Sequence, residues 1–513
     1  MKNIRIAARL DIKSLNVIKG IQFECLRVVG KPSILSEYYY NSGIDEIIFL
    51  DTVANLYNRS KLTSIVNEAS KNIHIPLTAG GGVKTIQDFK DLLKAGADKV
   101  FINSYATKNP QILSDAARVF GSQCIVLSVE AKRISDNKWE AYIDSGRERT
   151  GKDVMEWVQK AEELGVGEIF LTSVDRDGTK KGLDDELIEN VSMQTNLSLV
   201  VSGGFKDLSQ IKKLSKISNI DCLAIGSALH YDILKIEEIK KEFKKYKFLV
   251  RGLENTTKKN KNPKLDINLK KDYNYYSLNQ MNTENLKVKK INLSNFNFNI
   301  KKNNDFEIGV INFGVNNLQS VISSLKKTTQ KKVSWIDSPT EIEKAKVLIL
   351  PGIGAFGWAM NNLKKLKILD SIIKNVNSGK PILGICLGMQ LLFDKSFEFG
   401  EHNGLGLLEG NVSELKKKDN LKIPHIGWNK VFYNSKNNDG KLIESSADNL
   451  YYFVHSFKVD IPKRKYKNYQ TKYGDNTFCS AIEHKNIFGV QFHPEKSGNS
   501  GIKVLNNFLK ITI

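Results

Sequence analysis

A stretch of about thirty residues occurs twice in the first half of this 513-residue chain. IPLTAGGGVKTIQDFKDLLKAGADKVFINS (75–104) aligns with LSLVVSGGFKDLSQIKKLSKISNIDCLAIGS (197–227), about 120 positions on. Two shorter pairs keep that offset: IDEIIFLDTVA (44–54) with VGEIFLTSVDRDG (166–178), and ARLDIK (8–13) with LSVEAKR (127–133). Three ordered matches at one offset mean a duplicated unit. Strand-like apolar runs fall at 4–10, 46–50, 76–79, 99–102, 124–129, 168–171, 198–201 and 222–225, with amphipathic stretches between them, such as 85–95 and 154–164. Eight β-α units within residues 1–250 predict a closed parallel (β/α)8 barrel of two fused halves, an α/β fold.

Residues 251–305 break that pattern. Between 255 and 304 there are 14 Asn and 11 Lys but no Gly or Ala, and neither a helical nor a strand period holds. The segment reads as a linker, with a docked piece around 273–278. It carries +8 of the chain's net +21, and the remainder is spread thinly, without basic stripes interleaved with aromatics. That distribution argues against nucleic acid as a partner. Five scattered cysteines provide neither a disulfide framework nor a paired-Cys metal site, so no metal is expected. No apolar run is long enough for a membrane span, and a cytoplasmic protein is expected. Residues 306–513 return to apolar strands running into glycine turns and helices (VLILPGIGAFG, PILGICLGMQLLF), as in an open α/β sheet with its site at strand ends.

Catalytic groups of a barrel sit at the C-terminal ends of its strands. Asp11 and Glu130 end strands one and five, so half-barrel symmetry sets two carboxylates across one mouth, suited either to acid–base work or to salt bridges with Lys13, Lys19 and Lys132. Gly80–Gly82 and Gly203–Gly204 each follow a strand, as does Gly226–Ser227, so backbone N–H groups can approach an anion in each half. A ligand with two phosphates fits that symmetry. At the opposite strand ends Arg5, Glu46, Lys99 and Glu168 place two cations and two anions, which read alone form a salt-bridge ring.

In the second domain GICLG frames Cys386 as a nucleophile elbow, a strained strand-to-helix turn that puts the thiol at a helix N-terminus. QFHPE supplies a base, His493, and an orienter, Glu495, two residues on. Gly352 and Gly354 of PGIG offer turn N–H groups to an oxyanion.

Residues 1–250 resemble the cyclase subunits of imidazole glycerol phosphate synthase, in the motifs LDIK, VIKG, DEIIFLD, GGGV, GADKVFINS, GSQCIV, GEIFLTSVDRDGTKKG and SGG. The resemblance implies that Asp11 and Glu130 are acid and base in closing an imidazole ring on a bis-phosphorylated ribulosyl-formimino-carboxamide ribotide. It also implies substrate contacts at Lys19, Asp51, Gly82, Asn103, Ser104, Thr172, Asp177, Gly178, Gly203, Gly204, Gly226 and Ser227, and an ammonia gate at Arg5, Glu46, Lys99 and Glu168. The sequence departs from the family pattern at Glu130, where the family has Asp, and at Arg9, where it has a small residue. GICLGMQ, PGIGAFG, PHIGWN, YFVHSF and QFHPEKSG resemble class I glutamine amidotransferase subunits. That implies attack of Cys386 on the glutamine carboxamide, with His493 shuttling protons and Glu495 orienting it; GVNN replaces the family's G-x-G-N. No cofactor is implied beyond L-glutamine as nitrogen donor.

The two resemblances together describe a fused synthase whose glutaminase docks on the barrel's N-terminal face and feeds it ammonia. A 50-residue linker spans roughly 40 Å, enough for that docking. Glu130, Arg9 and GSQC also fit a second expectation, an ammonia supplier for a separate sugar-amidating enzyme of surface-polysaccharide synthesis. A polyanion-binding scaffold built on inactive domains fits poorly, because the nucleophile, base and orienter are all present.

Overall fold

The computed structural model describes residues 2–52, 62–217, 219–253, 302–314, 317–418, 421–433, 440–444, 450–463 and 466–512. Most of the proposed linker, 254–301, and with it the piece at 273–278, lies outside the described residues.

Eight parallel strands close the first domain: β1 (Arg5–Lys13), β2 (Glu46–Asp51), β3 (Leu77–Gly80), β4 (Lys99–Ile102), β5 (Ile125–Ser135), β6 (Glu168–Ser173), β7 (Ser198–Ser202) and β8 (Cys222–Ile225). They pair in chain order, and β8 returns to β1 through Cys222↔Arg5. Each lies within a few residues of its expected place. The helices between them follow ordinary end chemistry. Ile86–Ala95 starts at a capping box between Thr85 and Asp88, stops at Gly96 (φ +120°), and buries Phe89, Leu92 and Leu93.

Asp11 and Glu130 do not end their strands. Both β1 and β5 run on into antiparallel ribbons, Asn16–Ile21 with Glu24–Gly30 and Lys138–Ile143 with Glu148–Asp153. Ladder pairing with these ribbons carries β1 to Lys13 and β5 to Ser135. The ribbons keep the 120-residue offset, so the duplication includes them.

Side chains alternate along each strand, and one file of each faces the lumen. Its middle layer is apolar, containing Ala7, Ile48, Phe101, Val126, Phe170, Val200 and Ala224. Two residues below on β1, β2, β4 and β6 stand Arg5, Glu46, Lys99 and Glu168, each the first residue of its strand. At the barrel's foot Lys2–Asn3 pairs with Phe248–Leu249, so the barrel chain leaves from the N-terminal face.

The second domain is a mixed sheet. Its parallel part, in spatial order, is β10 (Val333–Ile336), β9 (Ile308–Ile311), β11 (Val347–Leu350), β12 (Ile382–Ile385) and β13 (Ile487–Val490). The antiparallel strand Asn476–His484 extends it beyond β13. Separate apolar clusters cover the sheet. A two-stranded ribbon, His425–Lys430 with Leu450–His455, brings Ile426, Trp428, Tyr452 and Val454 into the same apolar cluster as the barrel. The amidotransferase-like domain is therefore seated on the barrel's N-terminal face. Polar contacts ring the seat. Lys496 Nζ meets Asp98 Oδ2 at 2.9 Å, Asn317 Nδ2 donates to Asp98 Oδ1 at 3.0 Å, and Lys422 Nζ donates to the Asn219 carbonyl at 2.7 Å and pairs with Asp221.

Candidate active sites

Cys386 stands between β12 and the helix Leu387–Leu391 with φ +53° and ψ −109°, a conformation that non-glycine residues hold only under constraint. Glycine permits the turn: a Cβ on Gly388 would lie 1.7 Å from the Leu350 carbonyl oxygen. His493 and Glu495, which follow β13, are buried beside it. His493 Nδ1 lies 2.7 Å from Glu495 Oε1. Burial alone would lower the His493 pKa, but the Cys386 sulfur and the Glu495 carboxylate raise it well above 6.5. Gln491 Nε2 approaches Cys386 Sγ at 3.5 Å. The three residues singled out from the sequence thus lie together in one buried cluster.

The pocket in front of Cys386 is lined by Gly354, Leu387, Gln390, Glu398, Val454, His455, Ser456 and Phe457. Gly352 lies behind the elbow instead, where a Cβ would meet Leu387 Cβ at 2.7 Å. Glu398 is 5% exposed, and burial pushes its carboxyl up to about 7 even though it accepts the Phe356 N–H at 2.6 Å. Ser456 Oγ is buried without a partner, as is common where a polar ligand completes the set. The remaining wall is the barrel's, formed by Gln123 and Cys124 just before β5. Burial pushes the Cys124 thiol pKa up, and Cys386 and Lys99 are both among the charges it feels.

The ring closes on itself. Arg5 pairs with Glu46 (2.5 Å) and Glu168, and Lys99 pairs with Glu46 (2.8 Å) and Glu168. All four are at most 2% exposed. Ser198 Oγ donates to Glu168 at 2.8 Å and Thr78 Oγ1 to Glu46 at 2.6 Å. Burial alone would raise the Glu168 pKa, but Arg5 and Lys99 hold it below the usual carboxylate range. Tyr452 crosses from the second domain to feel Glu46, Arg5 and Glu168, while its carbonyl accepts the His493 N–H at 3.0 Å.

At the mouth the two carboxylates differ. Asp11 is held by Arg9 Nε (2.8 Å) and Lys19 Nζ (2.8 Å), and both cations also reach Asp177. Burial raises the Asp11 pKa, yet these cations bring it below its usual value. Glu130 accepts the Gly146 N–H at 2.8 Å, and burial pushes it up to about 7 against that bond and the Arg9 charge. Asp51, Gly82, Asn103 and Ser104 share a pocket with Glu130, together with Asp144 and Ser145 from the ribbon tip. Lys19, Asp177, Gly178, Gly203, Gly204, Gly226 and Ser227 share a second pocket with Lys180 and Ser202. Thr172 is buried on β6, in register with Glu130 and Ser202. The duplication reaches this detail. Gly81 (φ +115°) lies under the Asp51 carbonyl and Gly203 (φ +99°) under that of Ser173, each too close for a Cβ. The short helices Ser104–Lys108 and Ser227–His230 open the two pockets in the same way.

Residues 5–235 match the histidine biosynthesis protein family and residues 309–511 the class I glutamine amidotransferase family. A curated Legionella pneumophila protein, imidazole glycerol phosphate synthase subunit HisF, is 51% identical over 210 residues, which is 41% of this chain and 99% of that protein. The chain belongs to the HisF family. The subunit of that name from Clostridium botulinum (strain 657 / Type Ba4) is 43% identical over 248 residues (48% of this chain, 98% of that protein). That from Streptococcus sanguinis (strain SK36) is 42% identical over 237 residues (46% and 94%). A HisF barrel and a class I glutamine amidotransferase domain are thus joined in one enzyme chain.

Sequence reasoning missed several residues of this HisF fusion. Gln390 stands one helical turn after Cys386, a spacing that could have revealed it. Cys124, Tyr452 and Lys496 fall inside the matched motifs GSQCIV, YFVHSF and QFHPEKSG without a role being read from them, while Glu398 and Lys422 lie outside every motif; the places of all five come from tertiary packing.

Proposed function

We propose that the chain is a bifunctional imidazole glycerol phosphate synthase acting in the cytoplasm. Cys386 attacks the glutamine carboxamide, with backbone N–H groups at Leu387 and Gly354 facing the developing oxyanion. His493 protonates the leaving ammonia, and water then releases glutamate. Glu398 serves as counter-ion to the glutamine ammonium. Ammonia crosses Cys124 to the ring of Arg5, Glu46, Lys99 and Glu168 and rises through the apolar lumen, where it stays unprotonated. At the mouth it meets phosphoribulosyl-formimino-carboxamide ribotide, whose phosphates rest in the two half-barrel pockets. Asp11, held ionised, is the base and Glu130 the acid: two carboxyls with pKa values pushed apart suit opposite roles. The products are imidazole glycerol phosphate and aminoimidazole carboxamide ribotide.

The observation that carries this reading is the shared wall of the Cys386 pocket, which Gln123 and Cys124 of the barrel line together with Cys386 and His493. The test supplies 15N-amide glutamine and the ribotide in an excess of unlabelled ammonium. Label retained in the imidazole product is expected. Label fully diluted would remove the channel, and glutamate formed without imidazole product would remove the synthase. The relatives named above are synthase subunits and do not favour the supplier of a sugar-amidating partner.

A further inference from the structure

The lumen file of β1 carries a second arginine, two residues above Ala7 of the apolar layer. Arg9 is 1% exposed. Its Nε donates to Asp11 Oδ1 at 2.8 Å, and its Nη1 donates to Asp177 Oδ1 and to Ser202 Oγ, both at 3.2 Å. The rings of Phe23 and Phe170 flank Cζ at 5.1 and 5.8 Å. Nη2 has no partner among the described residues. Buried donors are almost always paired, so one left open at a ligand-binding mouth points to an acceptor that arrives with the ligand. The duplication sharpens this. The half-barrel counterpart of Arg9 is Ser128, so only one of the two equivalent carboxylates receives a guanidinium.

We propose that Arg9 is a positioning residue of the barrel reaction, tying Asp11 to Asp177 across the mouth and keeping the two N–H groups of Nη2 for an acceptor oxygen of the bound ligand. This rests on the synthase reading above. The charged and titratable groups around Arg9 are Asp11 on its own strand, Lys19 on the ribbon, Glu130 on β5, Asp177 after β6, and His230, whose Nε2 lies 2.9 Å from the Arg9 carbonyl oxygen. Lys19 also holds Asp11 and Asp177, but an ammonium is a single point charge and a guanidinium is a planar fork that fixes direction. The tie therefore governs the aim of the Asp11 carboxylate more than its presence.

Cyclisation of the ribotide with free ammonia supplied directly, followed across pH in the full chain, tests this. In Arg9→Met, kcat falls about tenfold or more, the scale on which misplaced catalytic groups act, and KM for the ribotide rises. The alkaline limb moves to higher pH, because Glu130 loses a nearby cation; loss of packing alone would not move it. Arg9→Lys keeps the limb in place yet still loses kcat, and it carries the test if Arg9→Met does not fold. Either folded variant matching the wild type in kcat and KM would overturn the role of Arg9 alone. A wild-type chain that makes no imidazole product from ammonia would overturn the synthase reading, and this role with it.

Discussion

In the proposed reaction Glu398 binds glutamine without taking part in the chemistry. Among the described residues it is the one carboxylate lining the Cys386 pocket apart from the triad, and Phe356 N–H occupies one of its oxygens. A charged hydrogen bond to the glutamine ammonium is worth about 1.5–3 kcal/mol. Glu398→Gln should therefore raise KM for glutamine about 10- to 100-fold with kcat little changed, as steady-state glutaminase assays read directly. A fall in kcat at unchanged KM would place Glu398 in the chemical step instead. The triad needs no such inference, since the elbow glycines and the two-residue spacing of His493 and Glu495 are local features that a sequence displays. Glu398 is twelve residues from Cys386, and only burial brings the two together.

Among the elements, the short turn Pro494–Lys496 couples the two domains. It holds Glu495 against His493 and, one residue later, sends the fully buried Lys496 into the barrel to Asp98, just before β4. Breaking such a pair by removing one partner costs about 3–5 kcal/mol, because a charge is left buried alone. Asp98→Ala should lower both the melting temperature and glutaminase activity while ammonia-driven cyclisation persists. Asp98→Ala with Lys496→Met should recover part of the stability, since an apolar replacement leaves no stranded charge, while the Leu77 N–H and Asn317 Nδ2 still lack the Asp98 acceptor; a double-mutant cycle by calorimetry measures this. The eight barrel strands were legible because each is a buried apolar run. The ribbons after β1 and β5 were not. Glu24–Gly30 is mostly exposed and Glu148–Asp153 has no apolar residue, so neither shows alternation to read. The cage of Arg9, Lys19, Asp11 and Asp177 draws on three separate elements, and no spacing in the sequence joins them.

Across the whole molecule, two carboxyls brought to about 7 by burial act in opposite senses. Glu398 pairs with the glutamine ammonium only when ionised, so glutamine capture weakens as pH falls through about 7. Glu130 is a proton donor only when protonated, so cyclisation weakens as pH rises through about 7. With sub-saturating glutamine the coupled reaction should trace a narrow bell centred near neutrality, its acid limb belonging to one domain and its alkaline limb to the other. Free ammonia held at constant concentration bypasses the glutaminase domain, so the acid limb should vanish and the alkaline limb stay. Glu398→Gln should flatten the acid limb of the glutamine-driven profile in the same way and leave the alkaline limb untouched. If the acid limb survives both treatments it does not arise at Glu398.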